Sequence, residues 1–116
     1  MIALSVALLQ APQQKADTVA PGAAVESPFV QLHCPVLVLQ GDYDLQVTVA
    51  DAEALHAADP KSTLVIFAGD THMFKVAASK DRMAEVPTYV DPTVPVDPQV
   101  VTTIADWIKQ LGEARP

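Results

Sequence analysis

At 116 residues, half of them apolar, the chain has material for one small domain with its own core, which argues against disorder throughout. A net charge of −7, with only seven scattered Lys and Arg, excludes a nucleic acid or an anionic membrane surface as partner, because both demand clustered cations. The single cysteine, Cys34, excludes an internal disulfide framework and suits a reducing compartment, so a cytoplasmic location is expected.

The first segment, Ile2 to Gln10, is apolar and short, and reads as an amphipathic or buried helix. It has no basic residue ahead of Lys15, as a secretory signal would, and it falls far short of the ~20 residues that span a bilayer. From Ala11 to Pro28 the composition turns to Ala, Pro, Gln, Gly and Ser without periodicity, the mark of a connector. Residues 1–28 are therefore expected as an N-terminal helix and connector, and residues 29–116 as the domain. His33-Cys34 has no second pair at ligand spacing, so neither a metal nor a cofactor is expected.

Pro35 opens a strand over Val36 to Leu39, whose unbroken apolar run marks burial on both faces, and Gly41 ends it. Thr48 caps a helix over Val49 to Ala58, Asp51 suits the positive end of its dipole, and Asp59-Pro60 stops it. A second buried strand follows over Thr63 to Phe67. Strand, helix and strand make a βαβ unit with parallel strands and a right-handed crossover, so the fold class is α/β, a small parallel sheet with flanking helices. Met73 to Val86 is expected to be partly helical and Pro87 to Pro98 a Pro-rich loop. Asp97 caps a last helix with Pro98 at its first position and Gly112 as its stop. Val100, Val101, Ile104, Ile108 and Leu111 form its expected apolar stripe, with Trp107 as a packing anchor.

The chemistry-bearing residues follow the two strands. Pro35-Val-Leu-Val-Leu-Gln-Gly-Asp-Tyr-Asp44 and Leu64-Val-Ile-Phe-Ala-Gly-Asp-Thr-His72 each run from an apolar strand through a Gly turn to an ionisable residue. Parallel strands bring Asp44 and His72 to one edge, at the carboxyl ends where open α/β sheets build sites. Asp42 and Asp70 are rival acids for His72, otherwise solvated turn residues. Equally, such an Asp can bond its own turn and such a His can cap a strand. Tyr43 and Phe74 flank the pair, as pocket lining or as core. His56 is expected on an exposed helix face.

From Cys34 to about Lys109 the chain resembles the C-terminal part of an α/β-hydrolase. The resemblance rests on the strand before Gly41-x-x-Asp44, on Gly69-x-x-His72 one helix later, and on the tail segments Thr88-Tyr-Val-Asp-Pro92 and Val94-Pro-Val-Asp-Pro98, which are similar to an esterase-like and serine-aminopeptidase-like branch. It implies that Asp44 is the acid and His72 the base of a Ser-His-Asp triad. The family's nucleophile sits in a Gly-x-Ser-x-Gly elbow. Glycine occurs here only at 22, 41, 69 and 112, and none flanks a serine in that way. Ser5, in Ala3-Leu-Ser-Val-Ala7, has only four residues before it and is not expected to serve. The resemblance thus implies a truncated hydrolase-like protein, inactive by itself as a serine hydrolase. Its rivals are one half of a split hydrolase completed by another chain, and a noncatalytic dimeric module binding a ligand or a protein. Because a sheet this small leaves a strand edge and apolar faces open, a homodimer covering that edge is expected.

Overall fold

The computed structural model describes residues 31–113. The helix expected over residues 2–10, the connector over residues 11–28 and Ser5 lie outside the described residues. Five elements follow in order: β1 (Leu37–Gly41), α1 (Val49–Ala58), β2 (Thr63–Phe67), α2 (Arg82–Val90) and α3 (Pro98–Glu113). Among the described residues the fold is a mixed α/β arrangement of a two-stranded sheet and three helices. The Thr63 amide donates to the Val36 carbonyl at 2.9 Å, and the Asp42 amide donates to the Phe67 carbonyl at 3.1 Å, so both strands advance together and run parallel.

The chain divides into two units that interleave in sequence. Within the described range the first holds residues 31–40 and 46–66. Its core is Val36, Val38, Ala52 and Leu55, with Leu32 and Leu64 packed against them. Val38 of β1 and Val36, just ahead of that strand and two residues earlier, supply one side of this cluster, and the i, i+3 pair Ala52 and Leu55 of α1 supplies the other. Thr48 and Asp51 form a capping box at the start of α1: the Asp51 amide donates to the Thr48 hydroxyl oxygen, and the Thr48 amide donates to the Asp51 carboxylate at 2.8 Å. The Asp59 amide closes the helix onto the Leu55 carbonyl.

The second unit holds residues 41–45 and 67–113. Here the structure departs from the sequence expectation. Residues 69–77 form a hairpin turn, joined by an antiparallel bridge between Asp70 and Val76, where part of a helix was expected. α2 begins only after Asp81, whose carboxylate accepts the Ala84 amide, and it then runs through Pro87 to Val90. The amide that Pro87 lacks would have reached the carbonyl of Met83, a residue 80% exposed on the outer side of the helix, where a lost backbone bond costs less than it would in a core. The inward side of α2 is fixed by Thr88, whose hydroxyl donates to the Glu85 carbonyl and accepts from the Thr71 hydroxyl.

α3 starts where expected, with the Asp97 carboxylate accepting the Gln99 amide, but Gly112 lies inside its last turn instead of ending it. Its buried side is turned relative to the expected stripe. Val100 and Trp107 are buried and Ile104 and Leu111 partly so, whereas Val101 and Ile108 are exposed. The true spacing, i, i+4, i+7 and i+11, includes the tryptophan and leaves out the two β-branched residues one position further on.

The two strands differ. Every residue of β1 is buried, so its side chains present no open apolar face, while in the two-stranded sheet among the described residues β1 has a strand neighbour on one edge only. β2 was expected to be buried as well, yet it exposes Thr63 and Ile66 and buries only Phe67. The closest constraint on β1 is at Gly41, where a Cβ would stand 2.2 Å from the Asp70 carbonyl oxygen and 2.7 Å from its carbon. Backbone atoms of a paired turn have no room to yield that distance. Gly41→Ala is therefore expected to lower the free energy of unfolding by about 3 kcal/mol or more, measured by urea denaturation at constant m value. A loss below about 1 kcal/mol would show that the two turns do not approach this closely.

Candidate functional site

The site begins with two turns that are fastened to each other. After β1, the Tyr43 amide donates to the Asp70 carbonyl at 2.9 Å. After β2, the Gly69 amide donates to the Asp42 carboxylate at 2.7 Å. Asp42 is thereby committed to the backbone of the opposite turn and does not compete for His72. Gly69, with φ of 83°, takes a left-handed conformation natural to glycine and turns the chain at the end of β2.

The hairpin that follows carries His72 at its tip. The Thr71 amide donates to the Lys75 carbonyl and the Ala77 amide to the Gly69 carbonyl, each at 3.0 Å. The Phe74 amide reaches back to the Thr71 carbonyl at 3.0 Å, which makes His72 and Met73 the central residues of the tip. Phe74 itself has φ of 54°, the left-handed position that closes a three-residue hairpin loop and usually takes Gly or Asn. A phenylalanine pays roughly 1 kcal/mol there. The conformation is held by an edge-to-face contact with Phe67, ring centroids 6.2 Å apart, and by the Asp97 amide, which donates to the Phe74 carbonyl at 2.8 Å. Phe74 is thus a wall of this turn, with its ring half-buried.

Within this frame His72 Nδ1 lies 3.0 Å from Asp44 Oδ2. The Asp44 side chain is 1% exposed and that of His72 19% exposed. A carboxylate only accepts, so the neutral imidazole must carry its proton on Nδ1 and donate it to Asp44, which leaves Nε2 as the basic nitrogen. Among the described residues nothing is hydrogen-bonded to Nε2. A buried carboxylate that orients a partly exposed imidazole is the arrangement a general base requires: the tautomer is fixed, and an imidazolium, once formed, is stabilised.

Asp70 was expected as a solvated turn residue or a rival acid, and it is neither. It is completely buried and neither carboxylate oxygen has a hydrogen-bond partner. Burial first, then the charge of Asp97, the hydrogen bond that a proton on Asp70 would make to Asp97, and the charge of Asp42 push its pKa from 3.8 up to about 7. Nothing in Gly69-Asp-Thr-His72 signals this, because the burial comes from the hairpin, which the sequence pattern does not show.

A second histidine also differs from its expected role. His56 is partly buried, with Nδ1 2.8 Å from the hydroxyl of the buried Ser62. Among the described residues His56 makes no further hydrogen bond, so no acid orients its ring. The contact ties the end of α1 to the start of β2. A groove of about 370 Å³ is lined by Leu32, His33, Cys34, Pro35, Asp59 and Lys61, and includes neither Asp44 nor His72. No group of three or more His, Cys, Asp and Glu among the described residues could hold a metal ion, and none of their helices is long and apolar enough to cross a membrane.

Comparison with protein-family models, with curated proteins and with solved structures finds no match to this chain.

The Asp44 contact predicts the tautomer of His72. In wild type at alkaline pH, ring ¹⁵N shifts should report mainly Nδ1–H, and Asp44→Ala should move the population towards Nε2–H, the form neutral imidazole prefers without such a partner. Identical shifts in the two proteins would mean that the carboxylate does not hold the ring.

Proposed function

We propose that Asp44 and His72 are the acid and base of an α/β-hydrolase-like Ser-His-Asp triad, and that the hydroxyl they act on is supplied from outside the described residues. One observation carries this reading: a 3.0 Å contact from a buried carboxylate to Nδ1 of a partly exposed imidazole, whose Nε2 has no hydrogen-bond partner among the described residues. The two side chains follow the carboxyl ends of parallel strands, which is where α/β folds place reacting groups. His72 takes a proton from the attacking hydroxyl or water, and Asp44 stabilises the imidazolium that results. The same pair returns the proton to the leaving group of an ester or amide.

A base alone is a weak catalyst. No Gly-x-Ser-x-Gly elbow is found with it in this sequence, and in such folds the backbone donors that stabilise the oxyanion, which supply much of the rate in acyl transfer, are built beside that elbow. The chain by itself is therefore proposed to be inactive as a serine hydrolase, and a polypeptide bearing an elbow would complete it. A homodimer belongs to the same proposal, now supported by the exposure of Ile66 on β2 and of Met83, Val86 and Val90 on α2. Multi-angle light scattering at micromolar concentration should give twice the chain mass. A monomer over the whole range removes the dimer and leaves the acid–base pair standing.

For the chemistry, a fluorophosphonate probe should leave the isolated chain unlabelled. Mixed with an elbow-bearing partner, it should turn over p-nitrophenyl esters in a manner that His72→Ala lowers about 10²- to 10⁴-fold. Labelling of a serine in the isolated chain, or turnover indifferent to His72→Ala, would defeat the proposal.

A further inference from the structure

Asp70 has the least accommodated side chain among the described residues. Both of its carboxylate oxygens are cut off from water and from every hydrogen-bond donor. The charged groups that act on it are Asp97, just ahead of α3, and Asp42, just after β1, and both are carboxylates. Each of those already has a donor: Asp42 accepts the Gly69 amide at 2.7 Å and Asp97 the Gln99 amide at 2.9 Å. His72, two residues along the hairpin, is held by Asp44.

An ionised Asp70 would be a buried acceptor without a donor, facing two negative charges, which is a costly way to bury a charge. One proton removes both difficulties. It cancels the charge and turns Asp70 into a donor, for which the Asp97 carboxylate is the acceptor within reach. A bound cation would be the other remedy, but these carboxylates do not form a group that could hold a metal.

We propose that Asp70 is a neutral carboxylic acid whose hydroxyl donates to Asp97, so that a shared proton latches the His72 hairpin to the loop ahead of α3 and releases it when the proton leaves. The backbone already joins the same two segments once, through the Asp97 amide and the Phe74 carbonyl at 2.8 Å. The side-chain bond adds a fastening that depends on pH. It stands independently of any chemical role for His72.

The sign follows from linkage. Asp70 titrates near 7 in the folded chain and near 3.8 when unfolded, so the folded chain keeps a proton that the unfolded chain has lost. The stabilisation is complete below about 3.8, shrinks as pH rises, and is gone above about 7. Within that window each pH unit raises the unfolding constant by up to about tenfold.

The test compares urea unfolding of wild type and Asp70→Asn at pH 5, 6, 7 and 8. An amide donates to Asp97 without needing a proton, so the variant keeps the bond at every pH. The ratio of unfolding constants, wild type over variant, should climb between pH 5 and 7 and level off by pH 8, and histidine titrations common to both chains cancel in it. A ratio that does not change with pH would overturn the latch. Should Asp70→Asn fail to fold, Asp97→Asn serves instead, because asparagine still caps α3 and offers its amide to Asp70. Direct ¹³C titration of the Asp70 carboxyl decides independently: a midpoint near 7 supports the latch, and one below about 5 sinks it.

Discussion

The organisation of the second unit depends on the contact between the turn after β1 and the turn after β2. Gly41 lies against the Asp70 carbonyl with no space for a side chain, and three hydrogen bonds close the seam: Asp42 amide to Phe67, Tyr43 amide to Asp70, and Gly69 amide to the Asp42 carboxylate. Asp44 follows this seam by one residue on the β1 side, and His72 by two on the β2 side. The positions of both are therefore inherited from a backbone approach that only glycine permits, and a 3.0 Å contact between side chains 28 residues apart follows without a long-range search.

Much of the first unit was legible in advance because its signals are local. The capping box at Thr48 and Asp51 and the Asp59-Pro60 stop delimit α1 in the sequence itself, and a run such as Val36-Leu-Val-Leu39 leaves little choice but a buried strand. The meeting of Asp44 and His72 could be anticipated from strand direction alone. The second unit was less legible. Its hairpin puts phenylalanine at a left-handed position where sequence rules look for glycine, and the energy that holds Phe74 there comes from Phe67 and Asp97, residues distant in sequence. Pro87 misleads for a related reason: its effect depends on whether the carbonyl it abandons can reach water, and that is a property of the folded surface.

The exposure of the strands was misjudged in a way that follows from the same limit. Apolar content reports that a strand seeks cover, but not how much of it the chain provides. β1 and β2 are both rich in Val, Leu and Ile, yet one is sealed on all its residues and the other keeps Ile66 open. β2 is the more apolar of the two, so position and not composition decides. The exposed apolar side chains are found elsewhere, on β2, on α2 and on α3, among them Ile66, Val90 and Val101.

Three aspartates within one seam, of identical intrinsic chemistry, take three different states because their surroundings offer different numbers of donors. Asp42 receives a backbone amide and serves the turn. Asp44 meets an imidazole N–H and fixes a tautomer. Asp70 meets only other acceptors, and burial raises its pKa until a proton from solvent becomes the missing donor. The separation matters for the site as a whole. Had Asp70 been ionised, a second negative charge within two residues of His72 would compete with Asp44 for the imidazolium; held neutral, it leaves the histidine with one anionic partner and one open nitrogen, the asymmetry on which acid–base chemistry relies.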